Sequence, residues 1–162
     1  MRSYREDDAR SLAAIANDFE VARWLTRRFP HPYTVSDAQE WIAVAAAAPP
    51  GHILSIEVNG ELAGGISIEP LDNERAGCAL FGYWLGRAFW GRGVGTEAAR
   101  IHSDMILRSG AARRLEATVF EPNVASAKIL ASAGFSLEAT IPAMYLDRDD
   151  VVHDGLLYGR LA

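Results

Sequence analysis

The sequence predicts a mixed α/β fold, one sheet covered by helices, and three observations carry the prediction. Apolar residues recur at helical spacing in some segments and alternate in others. Asn59-Gly60, the strongest short hairpin signal, joins two alternating segments. Downstream of that hairpin the pattern runs strand, helix, strand, helix, strand, which a sheet with helices packed on it satisfies.

Each element has a local reason. Glu6, Asp7 and Asp8 open a helix over 6–17, where acids favour the helix N-terminus, and Leu12, Ile15, Ala16 and Phe19 share a face. Residues 21–25 read as a second short helix. Pro30 and Pro32 exclude helix from 29–33. Thr34 and Asp37 form a capping-box pattern before a helix carrying Trp41, Ile42 and Ala45, which runs into a turn over 45–50. Strands follow over 52–58, 62–69 and 78–85. A helix over 93–107 stops at Gly110, and a strand covers 115–120. Asn123 caps a helix ending near Ala133, where Gly134 stops it. Two last strands, 135–141 and 152–161, are joined by a polar, aspartate-rich loop over 142–153. With an N-terminal strand cut to a few residues before Glu6, the expected sheet has about six to seven strands.

Composition narrows the function classes. A chain of 162 residues is one domain's worth, so residues 1–162 are read as a single domain. The net charge is −5 and no basic stripe exceeds Arg27-Arg28 or Arg113-Arg114, so no nucleic-acid partner is expected. No apolar run approaches the roughly 20 residues of a membrane span, and the polar first ten residues do not read as a signal peptide. Cys78 is the only cysteine, which excludes an internal disulfide and points to a reducing cytoplasm. It reads as a small buried hydrophobe. His31, His52, His102 and His153 show no metal-ligand spacing, so no metal is expected. Trp24, Tyr33 and Trp41 either line a ligand pocket or fill the core, and aromatics at such spacing more often fill the core.

The sharpest feature is Trp90-Gly91-Arg92-Gly93-Val94-Gly95-Thr96, between a strand and a long helix. Glycines let the backbone turn tightly and approach a ligand. The first helical N–H groups have no internal partner and sit at the positive end of the helix dipole, which suits phosphate or pyrophosphate. Arg92 adds charge. A P-loop would need Gly-Lys-Ser/Thr where Gly95-Thr96-Glu97 stands, and a dinucleotide fingerprint would need glycine at Thr96.

Gly82-Tyr83-Trp84-Leu85, the glycine loop through Ala98, and the block Asn123-Val124-Ala125-Ser126-Ala127-Lys128-Ile129-Leu130 with Ala133-Gly134-Phe135 resemble the GCN5-related N-acetyltransferase (GNAT) family. The RimJ/RimL-like branch, which acetylates ribosomal-protein N-termini, is the best match. Tyr4-Arg5-Glu6-Asp7-Asp8-Ala9 and Val21-Ala22-Arg23-Trp24-Leu25 look like that branch's N-terminal region. The resemblance implies a GNAT fold, with a splayed central strand pair holding acetyl-CoA as co-substrate. It implies a pantetheine arm along Tyr83, Trp84 and Leu85. Pyrophosphate should then lie on the backbone from Gly91 through Arg92, Gly93, Val94 and Gly95 to Thr96. Asn123 and Ser126 should face the thioester, with Lys128 near the outer part of the arm. A homodimer is also compatible with the branch. Trp90 departs from the glutamine or arginine that usually opens the motif.

Transfer from a thioester to an amine needs a neutral nucleophile, an oxyanion donor and a proton for the sulfur. A backbone N–H on the strand from Gly82 to Leu85 suits the oxyanion. Ser126, by the resemblance, is the candidate donor to sulfur; it also stands where a helix N-terminus needs capping. Many members of the branch carry a glutamate where this chain has Leu80, in the stretch Ala79-Leu80-Phe81-Gly82-Tyr83-Trp84. Glu69, at the end of the preceding strand, is the candidate replacement base, beside the alternative that water carries the proton. An ordinary α-amine titrates near about 8 and a lysine near about 10.4, so a preference for protein or peptide N-termini is expected. Small amines (aminoglycosides, polyamines, amino acids) and a silent acyl-CoA-binding module are the alternatives.

Overall fold

The computed structural model describes all residues, 1–162. The helices are α1 (Ala9–Ala16), α2 (Phe19–Ala22), α3 (Val35–Ala47), α4 (Val94–Ser109) and α5 (Val124–Ser132). The strands are β1 (Ile53–Val58), β2 (Glu61–Pro70), β3 (Cys78–Leu85), β4 (Arg114–Phe120), β5 (Ser136–Leu146) and β6 (Val152–Leu161). They form one mixed sheet of order β1-β2-β3-β4-β6-β5. Pairs β1–β2, β4–β6 and β5–β6 are antiparallel and β3–β4 is parallel. The expected α/β class holds, with six strands. The N-terminal strand is reduced to one bridge, Arg2 to Ser55, because the chain turns into a 3-10 helix at Glu6.

Two compact units divide the chain. The first comprises Met1–Ser67 and Tyr83–Gly95. Its core joins Leu12, Ala13 and Ala16 of α1 to Ala38 and Ile42 of α3, Tyr33 and Leu62, with Tyr4, Phe29, Trp41 and Trp84 packed on it. Burial pushes the Tyr33 phenol up to about 12, with Asp37 adding to the shift. Tyr33 and Trp41 are therefore core residues. Thr34 caps α3 as expected: its Oγ1 accepts from the Asp37 N–H (3.2 Å), and Asp37 Oδ2 accepts from the Thr34 N–H (2.7 Å). The second short helix, expected over 21–25, begins earlier because Asp18 accepts from the Glu20 N–H (2.9 Å) and sets its start. Asn59 (φ 53°) and Gly60 (φ 86°) both take the left-handed conformation that a two-residue type I′ hairpin demands. Arg2 bonds both Asp8 (2.7 Å) and Glu57 (2.6 Å) and holds the Asp8 carboxyl below its ordinary range.

The second unit comprises Ile68–Gly82 and Thr96–Ala162. Leu115 of β4 and Leu130 of α5 are fully buried, and Phe81 packs on His102 of α4 (5.8 Å between centroids) and on Phe135 (5.1 Å). Cys78 is buried and free, as a small hydrophobe would be. The loop expected over 142–153 is a correction. Strand β5 runs on to Leu146, so the connection to β6 is 147–151 alone. Pro142 and Ala143 (φ 51°) mark an irregularity in register between Ile141 and Tyr145, not a strand end. An edge strand tolerates proline there, and the Ala143 N–H is satisfied by Asp154 Oδ1 (2.9 Å).

Candidate active site

The glycine loop leaves β3 through a 3-10 turn, Arg87–Phe89, and enters α4 at Val94. Trp90 is anchored by its indole N–H, which donates to Leu85 O (2.8 Å). Its place in the motif is thus structural. Gly91 (φ 69°) and Gly93 (φ 77°) are left-handed, and a Cβ at either would meet nothing within 4 Å. Backbone conformation, not crowding, requires glycine there. Gly95 differs from the expectation of three equivalent glycines: it lies buried within the first turn of α4, outside the left-handed region. Gly93 has no side chain with which to cap α4, so the helix's first N–H groups present a positive end. The Arg92 side chain is exposed and lies 5.8 Å over the Phe89 ring.

Upstream, Leu85 is buried and Tyr83 half-buried. The Trp84 ring meets Phe29 edge-on at 5.4 Å. A Cβ on Gly65 would stand 3.0 Å from Trp84 Nε1, and this indole belongs to the core. The parallel register of β3 with β4 spans three pairs and ends at Leu80 opposite Glu116. Strand β4 itself continues, paired to β6, as far as Phe120 opposite Gly155.

The start of α5 is built differently. Asn123 caps it, its Oδ1 accepting from the Ser126 N–H (3.1 Å). The backbone of Ser126 thus serves the cap, its side chain is half-buried, and Lys128 is exposed.

Glu69 is exposed near the end of β2. The Leu71 N–H donates to Cys78 O (2.9 Å) and the Gly86 N–H to Ala63 O (2.8 Å). These two bonds belong to one antiparallel register of β2 on β3, which sets Glu69 opposite Leu80. Leu80 pairs in turn with Glu116. Sheet partners share a face, so Glu69, Leu80 and Glu116 lie side by side. Glu116 is committed elsewhere. Burial works to raise its pKa, but Arg114 (2.8 Å) and Arg75 hold it below the ordinary range. Arg114 also bonds Glu138 (2.9 Å).

One pair escaped the sequence reading. Asp147 and His153 close the short β5–β6 connection, with Asp147 Oδ2 and His153 Nε2 2.8 Å apart. Reading 142–153 as one irregular loop hid the strand pairing that brings them together. No cluster of metal-binding side chains is present, and no helix is long and apolar enough to cross a membrane.

Residues 1–136 match the family described as an acetyltransferase (GNAT) domain. The uncharacterized N-acetyltransferase p20 of Bacillus licheniformis is 30% identical over 148 residues, 87% of this chain and 80% of that protein. Mycobacterium smegmatis RimJ, solved with a CoA disulfide, superposes with a TM-score of 0.84 at 27% identity, over 99% of this chain and 80% of that one. RimL, described as a ribosomal L7/L12 α-N-protein acetyltransferase in complex with coenzyme A, superposes with a TM-score of 0.85 at 20% identity. That match covers 99% of this chain and 92% of RimL.

Proposed function

The chain belongs to the GNAT acetyltransferase family, and from that premise we propose that it moves acetyl from acetyl-CoA to the α-amine of a protein or peptide, as a RimJ/RimL-like enzyme of the cytoplasm. The observation that carries the reading is the uncapped start of α4 behind two left-handed glycines, after a strand whose register with its parallel neighbour ends early. The pyrophosphate of acetyl-CoA takes the N–H groups from Gly91 through Arg92, Gly93, Val94 and Gly95 to Thr96, where unpaired donors and the helix dipole favour an anion. The pantetheine arm bonds the backbone of Tyr83, Trp84 and Leu85 as an added strand would. Asn123 and Ser126 face the thioester, and Lys128 serves the outer part of the arm. Ser126 Oγ gives a proton to the leaving sulfur.

Glu69 supplies the negative charge that the branch resemblance implies at the position of Leu80. Its cross-strand place supports this, because a carboxylate there reaches the same face of the sheet. It attracts the incoming ammonium. An α-amine, with an ordinary pKa of about 8, leaves a larger neutral fraction at pH 7–8 than a lysine at about 10.4. The proposed enzyme therefore favours N-termini. The test is CoA thiol release with a panel of N-terminal peptides, blocked lysine peptides, polyamines, aminoglycosides and amino acids. N-terminal peptides should turn over at least about tenfold faster than matched lysine peptides. Faster lysine or small-amine acetylation removes the substrate assignment. Acetyl-CoA binding without turnover on any amine leaves only a binding module.

A further inference from the structure

We infer that His153, oriented by Asp147, is the group that takes the proton from the attacking amine; the role rests on the acetyl transfer proposed above. The pair is built with more constraint than its turn requires. Asp147 is 5% exposed, and its Oδ1 already accepts the N–H groups of Asp149 and Val151, each at 2.9 Å. Those two bonds, with the Asp147 N–H donating to Val151 O (3.0 Å), close the connection by themselves. The second carboxylate oxygen is thereby left for His153 Nε2 at 2.8 Å. The Asp147 carboxyl is held below its ordinary range, first by the Val151 N–H and then by His153, so it is ionised at neutral pH. An ionised carboxylate only accepts hydrogen bonds. The ring nitrogen facing it must carry the hydrogen, which makes Nδ1 the basic nitrogen of the neutral imidazole.

The ring is also fixed from the side. Phe120 stacks on Tyr145 at 4.3 Å and meets His153 edge-on at 6.1 Å, while the Tyr145 hydroxyl bonds Thr118 Oγ1. His153 pairs with Tyr145 in register, and Phe120 with Gly155. His153 therefore shares the face that carries Thr118, Glu116, Leu80 and Glu69. Phe120 ends β4, and the Glu121 N–H donates to Asp154 O (2.9 Å), two residues before the cap Asn123. The dyad thus stands at the end of β4 that leads into Ser126, the residue assigned to the sulfur. The His153 side chain is 18% exposed, which leaves it within reach of solvent. Asp147 bonds it from the turn, Tyr145 of β5 pairs with it across the sheet and the uncharged Phe120 meets it from β4, and the turn also carries Arg148, Asp149 and Asp150.

The step balances. The amine nitrogen forms a bond to the acetyl carbonyl carbon and the C–S bond breaks. Of the two protons that the ammonium loses, one passes through His153 Nδ1 to solvent. The other ends on the CoA sulfur by way of Ser126. Asp147 is a positioning residue, and Glu69 supplies only attraction.

The experiment is a pH profile of kcat/KM with the best amine for wild type, His153→Gln, Asp147→Asn and Glu69→Gln, beside acetyl-CoA affinity. His153→Gln should lose the acidic limb and about 100-fold in kcat/KM, with acetyl-CoA affinity unchanged, while Glu69→Gln keeps the limb. Asp147→Asn keeps an oxygen for Asp149 and Val151 but turns an amide NH2 toward Nε2, which moves the ring hydrogen to Nδ1. Long-range 1H–15N NMR of His153 should report the Nε2–H tautomer in the wild type and Nδ1–H in that variant. A wild-type Nδ1–H tautomer, an unchanged limb in His153→Gln, or loss of the limb in Glu69→Gln instead each overturns the inference while leaving acetyl transfer standing. A wild type that acetylates no amine overturns the proposed function and this role with it.

Discussion

The chain makes two strand-to-helix turns of the same topology and finishes them in opposite ways. After β3 the turn passes through Gly91 and Gly93, both left-handed, and α4 begins without a side-chain cap. After β4 it passes through Pro122, and Asn123 closes α5 by accepting from the Ser126 N–H. A capped helix start has spent a donor internally and contributes side chains to its surroundings. An uncapped one keeps its donors for an external acceptor. In the proposed enzyme this difference separates the turn assigned to phosphate from the turn assigned functional side chains, although both are helix N-termini with the same dipole.

The comparison breaks most sharply at Gly93. Gly93→Val forces a β-branched residue to φ 77° and shifts the donors of the first turn, so acetyl-CoA affinity should fall about 100-fold, on the order of one charge-assisted hydrogen bond lost. Isothermal titration measures it. Gly110→Val is the control, since Gly110 has φ 75°, equally open space around it, and lies just past the other end of α4. It should lower the melting temperature comparably and leave affinity alone. Equal affinity losses in both variants would mean that general strain, not the loop's donors, decides binding.

At the other turn the expected losses are smaller and different in kind. Ser126→Ala should lower kcat about tenfold while acetyl-CoA affinity stays within about twofold, because a proton donor acts in the transition state. Steady-state kinetics beside a direct binding constant separates the two. Loss of affinity with intact turnover would make Ser126 a cofactor contact only. Asn123→Ala should act mainly on stability, by about 1 kcal/mol for a lost cap, or roughly 2–4 °C in melting temperature. A thermal melt that does not move would show that the cap seen at 3.1 Å contributes nothing to α5.

Much of this was legible in the residues themselves, because the informative devices are local. The Asn59-Gly60 hairpin, the Thr34–Asp37 capping box, the Asn123 cap and the stop at Gly134 each act over a few residues, and each stands where its own chemistry put it. The glycine loop was legible for the same reason: left-handed φ and an open helix start are properties of a short stretch. The sequence also places Leu80 where the resemblance to the RimJ/RimL-like branch implies a glutamate. Which residues of other strands come alongside that position is settled by register. Only the tertiary structure set Glu69 opposite Leu80, tied Glu116 to Arg75 and Arg114, and assigned the Trp84 indole to the core. It alone carried β5 past Pro142, where a proline and a left-handed alanine read locally as a strand end. Pairing with β6 sustains the strand across that irregularity, and the same pairing brings Asp147 and His153 to 2.8 Å. Local propensity weighs one residue against its neighbours in the chain; cross-strand hydrogen bonds and side-chain burial weigh it against residues far away, and here they prevailed.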